Sequence, residues 1–118
     1  VRNASRADEW RASGAIPLLA DPDDRATLPR LNGLADIVPH LAPPPGEGKK
    51  DTRTRNLLAA LGKGKSLPRQ LVYVSTTGVY GDCAGAQIDE TRSVNPESSR
   101  AGRRVDAEQC LRQWGAQT

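Results

Sequence analysis

Apolar residues in this chain come in short runs, and the runs alternate between two spacings. Ile16-Pro17-Leu18-Leu19-Ala20, the largely apolar stretch 35–42, and Leu71-Val72-Tyr73-Val74 are of strand length. Runs without regular polar alternation fit strands buried in a parallel sheet. Between them the spacing becomes helical. Leu28, Leu31 and Leu34 recur at steps of three, which predicts one apolar face of a helix that Asp23 or Asp24 caps and Asn32-Gly33 ends. Leu57, Leu58 and Leu61 predict a second helix, with Asp51 or Thr52 as its cap and Gly62 just past its end. Ala107, Cys110, Leu111 and Trp114 stand at i, i+3, i+4 and i+7, in a helix predicted over residues 99–114. Residues 5–13 read as a short helix, with Ser5 as N-cap and Asp8-Glu9 near its positive end. Val1-Arg2 reads as the tail of a further strand.

Strand tail, helix, strand, helix, strand, helix, strand, helix is the order of βαβ units. It predicts an α/β domain with a parallel sheet and helices on both faces. Pro39 lies inside the third strand and has no N–H to donate, so a bulge or an early end is expected there.

With 118 residues the chain has room for one modest domain and one core. It has no Phe and no Met, so Leu, Val, Ile and Ala must fill that core. Hydrophobic residues make up only 36%, which predicts a thin margin of stability. No apolar run approaches the roughly 18 residues of a membrane-spanning helix, and no leader pattern opens the chain. The expectation is a cytoplasmic protein with no membrane partner. The net charge of +3 is spread along the chain, so no nucleic-acid partner is expected. Cys83 and Cys110 match no zinc or redox spacing, which leaves two separate reduced thiols and no metal site.

Three motifs fail on their own chemistry. Gly64-Lys65-Ser66 resembles the end of a phosphate-binding loop, but Ala59 stands where the first glycine belongs. The run also follows a helix and precedes a strand, the reverse of that loop's context. Gly46-Glu47-Gly48-Lys49-Lys50-Asp51 lacks the third glycine of a dinucleotide fingerprint. His40, the single histidine, belongs to no recognisable metal-ligand spacing or base-nucleophile set and reads as a residue at a strand end.

The informative stretch is Leu71-Val72-Tyr73-Val74-Ser75-Thr76-Thr77-Gly78-Val79-Tyr80-Gly81-Asp82. Asp89-Glu90, Pro96 and Arg104-Val105-Asp106-Ala107-Glu108 follow it. This resembles the extended and atypical short-chain dehydrogenase/reductases, the group of NAD-dependent epimerases and dehydratases. In that group a central strand ends in a Ser/Thr run and Val-Tyr-Gly, and a later helix carries Tyr-x-x-x-Lys. Asp36-Ile37-Val38-Pro39-His40-Leu41-Ala42 is similar to their DxVxHLA strand, and Ala20-Asp21 to the pair closing their third strand.

The resemblance implies a Rossmann-type parallel sheet with flanking helices. It covers the middle of such a protein, so the fold is expected to be incomplete, with the first strand and the C-terminal part missing. It implies NAD or NADP as cofactor and a small, sugar-like substrate in a full-length parent, an oxidoreductase or epimerase, with weak or no cofactor binding by this chain alone. It places Thr76 at the hydroxyl that orients substrate, and Asp21 at the carboxylate meeting adenine. Leu41, Ala42 and Ser75 fall at strand ends that line the cofactor. Arg2, just past the second strand, would suit a 2′-phosphate. Two positions depart from the family. Arg104 stands at the Lys and Arg100 at the Tyr. A guanidinium has no acceptor and stays protonated, so the usual phenol relay is absent and the chain alone is expected to be inactive. The alternative is a non-catalytic dinucleotide-binding regulator of the same fold.

Overall fold

The computed structural model describes residues 1–118. Three α-helices, α1 (Ala7–Ala12), α2 (Thr52–Leu61) and α3 (Ser99–Gln117), accompany two strands, β1 (Ile37–His40) and β2 (Gln70–Tyr73). The strands pair in parallel, from Ile37 opposite Gln70 to His40 opposite Tyr73, with α2 in the crossover between them. The α/β class with a parallel sheet and flanking helices therefore holds.

Alternation along each strand sorts the side chains. His40 and Tyr73 face the helices, where His40 meets Thr54 of α2 and Tyr73 meets Arg104 of α3. Ile37 and Val72 turn to the opposite face and stay exposed, as do Leu41 and Val74 just beyond the strand ends. Helices thus cover one face of the sheet, not both as expected. The core is correspondingly small: Leu28, Leu58, Leu61, Val79, Ala101 and Ala107 are among its buried members.

Pro39 makes no bulge, but β1 ends one residue after it, at His40, two short of the run 35–42. The carbonyls of Asp36 and His40 accept from Gln70 N–H of β2 and from Val74 N–H just past its end. By alternation, Pro39 turns its nitrogen to the other edge of β1, where no ladder bond is required.

Neither the run 16–20 nor Val1-Arg2 forms the strand expected of it. The Val1 amino group donates to the Leu18 carbonyl at 2.7 Å, and Ala20 N–H donates to the Val1 carbonyl at 2.9 Å. That is the parallel ladder pattern, but one partner residue is too little for a strand. The helix expected through Leu28, Leu31 and Leu34 is also corrected. Two short 3₁₀ turns, Arg25–Thr27 and Pro29–Leu31, stand in its place. Proline fits only the first turn of a helix, so Pro29 ends one turn and starts another. Asn32 leaves in an extended conformation, and Leu34 is exposed.

The caps explain the helices that form. Asn3, rather than Ser5, starts the first helical segment by accepting from Ser5 N–H. Asp51 caps α2, its Oδ1 accepting from Thr54 N–H at 3.0 Å. Gly62 ends α2 in a right-handed, not left-handed, conformation. Asn32 Nδ2 satisfies the Leu61 carbonyl there at 2.8 Å. Ser98 caps α3 through Ala101 N–H. No helix is long and apolar enough to cross a membrane.

Candidate functional site

Parallel pairing ends both strands at one edge, the edge where ligands bind in open α/β sheets. β1 runs on into Leu41-Ala42, and β2 into Val74-Ser75-Thr76. α3 returns across the end of β2. Arg104 Nη1 donates to the Val74 carbonyl at 2.9 Å and to the Tyr73 hydroxyl at 3.1 Å. Its guanidinium carbon lies 5.7 Å from the centre of the Tyr73 ring, within cation–π range. Ser75 Oγ donates to Glu108 at 2.5 Å. Thr76 Oγ1 accepts from Gly78 N–H at 3.3 Å and caps the 3₁₀ turn Thr77–Tyr80. That bond uses a lone pair and leaves the hydroxyl proton free to donate.

Beneath this edge a buried polar chain joins sheet to helix. His40 Nε2 lies 2.7 Å from Thr54 Oγ1, and Thr54 Oγ1 lies 2.7 Å from Asp51 Oδ2. Threonine has one hydroxyl proton. Both bonds form together when His40 donates to Thr54 and Thr54 donates to Asp51. Burial lowers the His40 pKa, and the Arg104 cation adds to this against the opposing pull of Asp51. Burial raises the Tyr73 pKa more than its hydrogen bond to Arg104 lowers it. Tyr73 is therefore a neutral phenol at physiological pH.

An open, mainly apolar cleft of about 660 Å³ flanks β1, bounded by Val1, Leu18, Val38, Leu41, Ala42 and Arg53 among others. Arg53 grips Asp23 with two bonds of 2.8 and 2.9 Å. That hydrogen bonding is the main cause holding the Asp23 carboxyl below its usual range, and the charge of Arg2 contributes. Asp21 accepts from Asp23 N–H through Oδ1 at 2.9 Å, which orders the turn.

The sequence-derived residues are thus distributed along one edge rather than gathered in one pocket. Leu41 and Ala42 line the apolar cleft with Arg53. Asp21 sits in the adjoining turn, and Arg2 acts on Asp23 from the surface. Ser75 and Thr76 border a shallow depression with Tyr80 and Glu108. Arg100 and Arg104 line a third cleft, against residues 43–46. Sequence reasoning missed Arg53, Tyr73, Arg103 and Glu108. Glu108 carried a signal, since it stands four residues after Arg104 on one helix face. Arg53 carried none, because its partner Asp23 is thirty residues away in sequence. The structure holds no group of three or more His, Cys, Asp or Glu side chains arranged for a metal.

No protein-family model matches the chain. No curated protein sequence matches it either. Solved structures do. A provisionally assigned epimerase from Burkholderia cenocepacia J2315 superposes with a TM-score of 0.75 at 26% identity, over 86% of this chain and 35% of that one. RMD from Pseudomonas aeruginosa, solved in complex with NADPH, superposes with a TM-score of 0.71 at 25% identity, over 92% of this chain and 44% of that one. The chain shares the Rossmann-type fold of these proteins and spans less than half the length of either.

Proposed function

We propose that this chain forms the middle of a nicotinamide-dinucleotide site in an epimerase- or reductase-like protein of the short-chain dehydrogenase/reductase kind. The observation that carries the reading is the shared edge. Leu41-Ala42 and Ser75-Thr76 leave neighbouring parallel strands side by side, and Arg104 is fastened over the end of the second. The likeness to an NADPH-bound structure supports it.

The residues present fit a dinucleotide. The cleft beside β1 has the volume of small-molecule sites, about 300–1,000 Å³, and a mainly apolar wall. Asp21 uses Oδ1 within its turn, and no hydrogen bond engages Oδ2, which can accept from an adenine amino group. Leu41 and Ala42 supply an apolar wall for the ligand. The Thr76 hydroxyl can donate to a substrate oxygen, and Arg104 can donate to ribose or substrate hydroxyls. Arg2, near Asp23, suits the 2′-phosphate of NADP. When bound, the nicotinamide supplies the hydride chemistry.

By the sequence resemblance Arg100 takes the place of the family's phenol, and a guanidinium has no acceptor atom. It can stabilise negative charge but cannot remove a proton from substrate. This favours a second reading, a dinucleotide-binding protein without catalysis.

The test titrates the intact protein with NADPH and NADH and follows nicotinamide fluorescence. Saturable enhancement is expected. Leu41→Glu, at an exposed position, is expected to weaken binding about tenfold, or about 1.4 kcal/mol, without loss of fold. No enhancement with either nucleotide would overturn the proposal. Oxidation of NADPH by the intact protein with a keto-sugar would exclude the silent-binder reading.

A further inference from the structure

We propose that the cleft between residues 43–46 and the first turns of α3 binds a phosphate-type anion. The cleft encloses about 210 Å³ and is lined by the triple-proline loop with its Gly46, and by Arg100, Arg103 and Arg104. Three cations thus line one small space. No carboxylate oxygen lies within 4.0 Å of any of them, since the ion pairs of the protein involve other arginines. The two acids farther along the helix are committed elsewhere. Asp106 holds Arg55 and Asp51 N–H, and Glu108 holds Ser75.

Arg103 makes the case specific. The residue is 7% exposed and lines the cleft, and its Nη1 donates to the Gly48 carbonyl at 2.8 Å. The Nε atoms of Arg103 and Arg104 are both buried without a partner. A buried guanidinium is costly unless an anion or several acceptors compensate it. A guanidinium also matches the oxygen spacing of a phosphate with two parallel donors. The N-terminus of α3 lies beside the arginines, and its first turn contains no acid, so the helix dipole adds to the attraction. The proline loop is stiff and lacks side-chain donors that would compete with the arginines.

The anion can come from a phosphorylated substrate or from a dinucleotide phosphate, and the test separates them. The full chain is titrated with inorganic phosphate against chloride of matched ionic strength, and ³¹P line broadening is followed. Saturable binding is expected, weakened about tenfold or more in Arg103→Gln, the loss of one charge-assisted contact. Arg103→Lys should recover part of it. Arg112→Gln, an exposed position farther along α3, should bind as the parent does. Arg100→Ala, also exposed, keeps the test open should Arg103→Gln unfold, and is expected to weaken binding severalfold. Displacement of phosphate by glucose 1-phosphate but not NADPH assigns the site to substrate, and the reverse assigns it to cofactor. Absence of binding above chloride overturns the proposal, as does an equal loss in Arg112→Gln. Because inorganic phosphate is the probe, the outcome does not depend on dinucleotide binding beside β1.

Discussion

Thr54 Oγ1 lies 2.7 Å from His40 Nε2, and this contact fastens the end of β1 to the first turn of α2. Both residues are buried, as is Asp51, which receives the Thr54 proton. Thr54→Val keeps the shape and removes the hydroxyl, leaving the imidazole and the carboxylate without their shared partner. The expected cost is about 2 kcal/mol, within the range for stranding buried polar groups. Urea unfolding should show a lower midpoint at an unchanged slope. A midpoint equal to the parent's would mean that the chain contributes nothing to stability.

The same histidine sets a pH dependence. His40 has a folded pKa below its ordinary 6.5, burial being the largest cause. The unfolded chain then binds a proton that the folded chain resists. Stability is therefore fully present above pH 6.5 and declines as pH falls below it toward the folded pKa. Asp23 acts in the same direction but only below its ordinary 3.8, so the two windows are separate. Unfolding midpoints measured from about pH 7.5 to about pH 5 should decline in the parent and stay flatter in His40→Gln. Parallel curves would refute the assignment to His40.

Asp106 links α3 to α2 in two ways. It pairs with Arg55 at 2.6 Å and accepts from Asp51 N–H at 2.9 Å. Arg55 is well exposed, so Arg55→Ala should cost less than about 1 kcal/mol. Asp106→Ala also strands a backbone N–H at the cap of α2 and should cost more, about 1–3 kcal/mol. Thermal unfolding of both variants checks the order. Equal losses would show that the backbone bond is unimportant.

Gly81 follows the turn that Thr76 caps. It has φ of +68°, and a Cβ there would overlap the Asn95 carbonyl oxygen. Gly81→Ala should destabilise by about 1–3 kcal/mol, from the disfavoured backbone region and the clash. Gly85 also has positive φ but meets open space, so Gly85→Ala should cost less. A reversed order in urea midpoints would remove the steric explanation.

The sequence by itself determined α2, α3, the parallel α/β class and the Ser/Thr run at the end of β2. The helices and the Ser/Thr run depend on local caps and on periodicity within one segment, and the class on the order in which such segments alternate. Tertiary structure alone decided which apolar runs became strands. Leu71-Val72-Tyr73 found a hydrogen-bonding partner in β1, whereas residues 16–20 met the single residue Val1. It also decided that His40 is a buried link rather than merely a strand-end residue, and that Arg103 reaches the Gly48 carbonyl. A ladder bond, a buried ion and a cleft each need two distant segments to meet, and hydrophobic spacing within either segment does not encode that meeting.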